Sequence, residues 1–243
     1  MSNLKQDKEK LIELQQLADN SYRELAKEAA KYPNAPSLPP GFLIWGDHYA
    51  VSNKVLFGLN PVYPEPKFLL EPIEDNGPWQ VGSGISPYCD RCKRFFGTEN
   101  YLLKWISDAT STFLVPWFST KSFKELYRHP LWPSIQKHSQ HLVRKIIEHH
   151  KAPRIIIVVG PTAMELLKES LRIKVQTDFS LTCQAGNRKY GYNNNYQWGK
   201  VITSEQIVFQ IPHFARLLKV EASRDCAKWL VGQIKAQNPF EEK

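Results

Sequence analysis

Apolar residues open the chain at intervals of three and four: Leu4, Leu11, Ile12, Leu14, Leu17, Ala18, Tyr22, Leu25, Ala26 and Ala29, with charged residues between them. This spacing predicts an amphipathic helix with a break near Asp19-Asn20. Pro33, Pro36, Pro39 and Pro40 follow. They lack a backbone N–H and fix φ, so they end the helix and make a stiff linker. Beyond the linker, short apolar runs alternate with helical patterns. Residues 54–59 read as a strand, followed by a long loop to about Gly97. A helix is expected over 98–108 and a second strand over 112–116. Ser122 and Glu125 have the spacing of a capping box and open a short helix; a longer helix covers 135–150. The run Arg-Ile-Ile-Ile-Val-Val-Gly at 154–160 is β-branched throughout, which suits a strand buried on both faces. Thr162 and Glu165 repeat the capping spacing and start another helix. A last strand is expected over 206–211 and a last helix over 223–236.

Strand–helix alternation of this kind predicts an α/β fold. The expected architecture has three layers: a mostly parallel central sheet of about four strands, with helices on both faces. The chain divides into the N-terminal helix and Pro-rich linker, residues 1–40, and an α/β domain, residues 41–243. A chain of 243 residues that is 42% hydrophobic can bury one substantial core. It carries 32 Lys and Arg against 24 Asp and Glu, a net charge of +8. That balance favours an anionic partner, DNA or RNA first. Seven Trp, ten Tyr and twelve Phe supply faces on which bases can stack. There is no secretory leader pattern and no apolar run as long as a membrane span, so a cytoplasmic monomer with no membrane partner is expected. The four cysteines, Cys89, Cys92, Cys183 and Cys226, are too few for a disulfide scaffold. No cofactor is expected. The one opening for a metal is Cys89-Asp90-Arg91-Cys92, which Cys183 and Cys226 do not complete at ligand spacing.

Candidate chemistry begins at Gly58-Leu59-Asn60-Pro61, where the strand Val55-Leu56-Phe57 stops in a turn. That places the neutral amide of Asn60 at the carboxyl edge of a sheet, where open α/β folds hold their ligands. Three further segments also couple a strand to a polar or aromatic turn. They are Thr-Phe-Leu-Val-Pro-Trp-Phe-Ser (112–119), Ile-Ile-Ile-Val-Val-Gly-Pro-Thr-Ala (155–163) and Ile-Pro-His-Phe-Ala-Arg-Leu (211–217).

In order and spacing these four motifs, across about residues 40 to 237, resemble the uracil-DNA glycosylase superfamily. The resemblance implies a uracil-DNA glycosylase-like fold and a hydrolase that cuts the bond between a flipped base and its sugar. It makes Asn60 the group that positions the hydrolytic water, in the amide branch of the first motif. It makes Gly58, Leu59, Val62, Tyr63, Thr112 and Phe113 the base pocket. The last motif implies a catalytic histidine, His213, and wedge residues for the vacated stack among Phe214, Arg216 and Leu217. Pro212, Ser119, Lys121 and Lys189 complete the expected DNA contacts. His213 follows the motif's Pro instead of preceding it, and its other reading is a turn histidine.

Two departures bear on the substrate. Uracil-cleaving members carry an Asn at the start of the second motif that reads the base edge. Between Asp108 and Thr120 this chain has neither Asn nor Gln, and Phe113 or Thr112 takes that place. Members that exclude thymine set a Tyr after the first motif's Pro; here Val62 stands there, with Tyr63 next. More room and no amide reader point to a pyrimidine with a bulky 5-substituent, as in phage DNA with modified bases, and hence to antiviral defence. Phe113, Trp117 or an aromatic of the long loop would stack on it. The competing expectations are a binding module that recognises modified bases or DNA without cleavage, a uracil or mismatch repair glycosylase, and a nucleotide-binding α/β protein.

Overall fold

The computed structural model describes residues 2–35, 52–59, 87–117, 123–152, 154–172, 180–185, 196–214 and 220–237. The β-branched run Arg154–Val159 (β3) lies inside one six-stranded sheet. The other strands are β1 (Lys54–Gly58), β2 (Thr110–Phe113), β4 (Ser180–Ala185), β5 (Tyr196–Ile202) and β6 (Gln206–Ile211). The strand order is β2-β1-β3-β6-β5-β4. β2, β1, β3 and β6 are mutually parallel. β5 and β4 extend the sheet antiparallel beyond β6. The helices are α1 (Ser2–Ala29), α2 (Pro87–Phe96), α3 (Asn100–Ser107), α4 (Phe123–Arg128), α5 (Trp132–His149), α6 (Pro161–Leu171) and α7 (Val220–Gln237).

Side chains alternate across a strand, and both faces of this sheet are apolar. Leu56, Ile155, Ile157, Val159, Ile207, Phe209 and Ile211 point to one face, where Phe95, Phe96, Trp105, Ile106 and Leu230 of α2, α3 and α7 cover them. Val55, Phe57, Ile156, Val158 and Val208 point to the other, under Leu14, Leu126, Leu142, Ile146 and Met164 of α1, α4, α5 and α6. The result is the expected three-layer α/β fold. Burial on both faces is what a parallel strand needs, and it explains why β3 has no polar alternation.

α1 and α5 run antiparallel. Ser134 donates to Glu28 (3.0 Å), His138 meets Ser21 (3.1 Å) and Glu24 (3.5 Å), and His149 meets Glu13 (3.7 Å). Between these contacts Leu14, Ala18 and Leu25 are fully buried. The N-terminal helix is thus packed into the same core as β1 and β3. Full burial of a leucine stabilises by about 1.5–3 kcal/mol, so this stripe fixes α1 more firmly than the polar contacts do.

Several local expectations need correction. α1 is continuous through Asp19-Asn20, where Asp19 pairs with Arg23 one turn on (2.8 Å). Ile12, assigned to its apolar stripe, is exposed. β2 begins two residues before the expected strand, because Thr110 and Ser111 already pair with Val55 and Leu56. The sheet has six strands, not about four. The long loop before Gly97 contains α2, whose Cys92, Phe95 and Phe96 are core residues. Thr162 does not cap α6; Gly160 is the N-cap, Pro161 opens the helix, and Glu165 pairs with Lys168 (2.9 Å).

Candidate functional site

Because β2, β1, β3 and β6 are parallel, their carboxyl ends share one edge. Along it lie Phe113, Gly58, Gly160 and the Pro212-His213 pair. The first two are register partners. The chain then continues beside β1: Leu114 N donates to Gly58 O and Val115 N to Leu59 O, each at 3.0 Å. On the other side Gly160 N donates to Ile211 O at 2.8 Å, locking the exit of β3 to that of β6.

β2 and β3 lie on opposite sides of β1. The connection from β1 to β2 carries α2 and α3 on one face, and that from β2 to β3 carries α4 and α5 on the other. The strand order therefore reverses at β1. In open α/β sheets a ligand crevice is expected at such a point, since the two connections leave in opposite directions. Asn60 follows Leu59 directly in the chain at this point.

Gly160 shapes what lies across from it. Its φ is 96° and its ψ 154°, a combination essentially confined to glycine. A Cβ at this position would stand 3.5 Å from the Cβ of His213. With strands about 4.8 Å apart, the ends of β1 and β6 lie roughly 10 Å from each other, and the strand between them ends in a residue without a side chain. His213 is half-buried over that glycine. Pro212 is buried.

Thr112 and Phe113 are both buried at the end of β2. The hydroxyl of Thr112 has no hydrogen-bond partner among the described residues. A buried amide also lies near this edge. Gln210, next to last in β6, sits between Val158 and Gly199 in register and shares the face of Val208. It was missed because the sequence signal there is only a Gln-Val-Gln alternation in an apolar strand.

The wedge assignment changes for Phe214. It is fully buried, packed on Phe95 and Phe96 at ring distances of 5.6 and 6.0 Å. A side chain anchored there does not enter a base stack. Trp117 is likewise core, with its ring 6.4 Å from that of His138 on the α5 face, so it offers no stacking surface. Asn60, Val62, Tyr63, Ser119, Lys121, Lys189, Arg216 and Leu217 lie outside the described residues, as does the side chain of Cys89. Cys92 is buried in the core. Among the described residues no cluster of three or more His, Cys, Asp or Glu side chains is placed to hold a metal. No helix among them is long and apolar enough to cross a membrane.

The most perturbed histidine is at the opposite edge. His150 Nδ1 donates to the carbonyl of Ser52 at 2.9 Å, just before β1. Burial lowers its pKa to about 4. Its distance from the carboxyl edge makes it structural. No family model, curated protein or solved structure matches this chain.

Proposed function

We propose that this protein is a DNA glycosylase of the uracil-DNA glycosylase type, hydrolysing the N-glycosidic bond of a flipped pyrimidine with a bulky 5-substituent and leaving an abasic site. Phage DNA with such bases is the proposed target. The observation that carries this reading is the meeting, at one edge and at the reversal of strand order, of the segment running into Asn60, the Thr112-Phe113 strand end and the Pro212-His213 exit. These segments are far apart in sequence, and each is a motif that the resemblance singles out.

In the proposed reaction the C1′–N bond breaks and its electron pair leaves with the base. Water adds its oxygen to C1′, giving one proton to the solvent or to the departing base. The amide carbonyl of Asn60 accepts a hydrogen bond from that water and orients it, since a neutral amide cannot deprotonate it. Positive charge developing on the sugar is stabilised by the substrate's own phosphates, and His213 faces the leaving base. β2 offers no amide to read uracil, so ordinary uracil is a poor substrate.

The test is to incubate the protein with DNAs of differing base modification and weigh the released base by mass spectrometry. Wild type releases a bulky 5-substituted pyrimidine and little uracil. Asn60→Ala lowers release by about 10²-fold or more while DNA binding stays within a factor of two or so. Binding with no release of any base makes the chain a modified-base reader instead. Efficient release of uracil would falsify the substrate assignment.

A further inference from the structure

Three aromatic side chains meet on the surface where α4 leads into α5. The rings of Phe123 and Trp132 are 5.4 Å apart, those of Tyr127 and Trp132 5.3 Å, and those of Phe123 and Tyr127 6.3 Å. Only the Leu126 side of α4 is buried. Tyr127 is 59% exposed, the most open of the large hydrophobic side chains described. Phe123 and Trp132 are half-buried and pack in part against the core, so it is the open Tyr127 ring standing against them whose exposure needs an explanation.

Its neighbours supply one. Phe123 and Tyr127 are four residues apart, as are Lys124 and Arg128, so each pair shares a stripe of the helix. The two stripes are about 100° apart around the axis. Both cations are exposed. Aromatic faces beside a row of cations on a chain of net charge +8 match an unpaired nucleic-acid strand, whose bases stack while its phosphates pair. The place fits too. α5 ends beside Ser52 at the amino edge of the sheet. At 1.5 Å per residue its 18 residues span about 27 Å, which puts Trp132 at the carboxyl edge with the crevice.

We propose that Phe123, Tyr127 and Trp132 form a stacking platform for an unpaired stretch of DNA next to the reaction crevice, with Lys124 and Arg128 on its phosphates. This rests on the DNA-binding part of the proposed function and adds that the strand is held single. The full-length chain is titrated with labelled oligothymidylate and, separately, with duplex DNA. Tyr127→Ala weakens the single strand about 5- to 100-fold, and Tyr127→Phe binds like wild type. Lys124→Ala with Arg128→Ala reduces the salt slope for the single strand by about 1.4, from two lost phosphate contacts. Tyr127 carries no core packing, so an unchanged thermal midpoint shows that the variants are folded. The proposal is overturned if wild type does not bind the oligomer or if Tyr127→Ala binds as wild type does. It is equally overturned if Tyr127→Ala abolishes self-association of the chain without changing oligomer affinity, because the patch is then an interface between copies. Oligomer binding through Tyr127 without release of any base sinks the glycosylase reading and leaves the platform standing. Base release with Tyr127-independent binding does the reverse.

Discussion

At Gly160 a backbone requirement stands directly beside the candidate site. Its φ of 96° and ψ of 154° cost an L-residue about 1–3 kcal/mol, whereas a Cβ there would meet His213 only at an ordinary contact distance of 3.5 Å. Gly160→Ala therefore loses about 1–3 kcal/mol in urea unfolding through backbone strain. A replacement that only strained the backbone would lower stability and leave the kinetics per folded molecule unchanged. That is the expected result, and slower release by folded Gly160→Ala would show instead that the strained turn displaces His213. This feature was half legible in the sequence. A strand ending in Gly-Pro announces a tight strand-to-helix turn, but nothing in residues 154–163 says that a histidine fifty residues later will lie over the glycine. The reverse happened at Phe214. Its motif suggested a wedge, yet a large apolar side chain beside two more at Phe95 and Phe96 is worth more in the core. Those two phenylalanines were hidden in a segment read as loop.

At the scale of elements, α5 and β1 are joined at the amino edge by a histidine that must stay neutral. His150 donates through Nδ1 to Ser52 O, and Lys151 N donates to the same carbonyl (3.2 Å). Burial holds its pKa near 4, against 6.5 in the unfolded chain. Above pH 6.5 the group is neutral in both states and its contribution is fully present. As pH falls from 6.5 towards 4, the unfolded chain takes up a proton that the folded chain refuses, and stability drops by roughly 3 kcal/mol. Burial also lowers the pKa of His138 and His149 on the α1–α5 interface, partly offset by Glu24 and Glu13, so these act in the same direction. His150→Asn keeps a donor near the Nδ1 position without the titration. Its urea midpoint should fall less than that of wild type between pH 7 and pH 4.5, and parallel curves for the two proteins would refute the assignment. The parallel elements were legible because β3 is apolar on both sides, β6 on one, and the helices between the strands are amphipathic. β4 and β5 were not. Their stretch, 180–202, mixes Gly, Asn and Gln with few apolar residues, and the antiparallel pairing that makes them strands comes from β6 rather than from their own pattern. α2 was missed for a similar reason: Pro87, Asp90 and two cysteines read as a loop, while its helicity is secured by packing Cys92, Phe95 and Phe96 under β1 and β3.

For the whole molecule the governing quantity is charge. The surplus is 32 − 24 = 8 positive charges, and under the proposed function a DNA partner brings its phosphates to the carboxyl edge of the sheet. Lys121, Lys189 and Arg216 are the cations that the motifs assign to those phosphates. Each phosphate neutralised on a duplex releases counterions and adds about −0.9 to the slope of log affinity against log salt. Three such contacts give a slope of about −2.7, hence an affinity loss of about 40-fold between 50 and 200 mM salt. Replacing all three by alanine should flatten the slope by that amount while leaving the proposed single-strand binding measurable, because Lys124 and Arg128 stay in place. The comparison uses fluorescence anisotropy with one unmodified duplex, so base identity plays no part. A nucleotide-binding protein with no use for polymeric DNA would show a flat salt response even before mutation. A steep response that survives the triple replacement would place the phosphate track on other cations, and the motif-based assignment of Lys121, Lys189 and Arg216 would then be wrong even if the protein cleaves DNA bases.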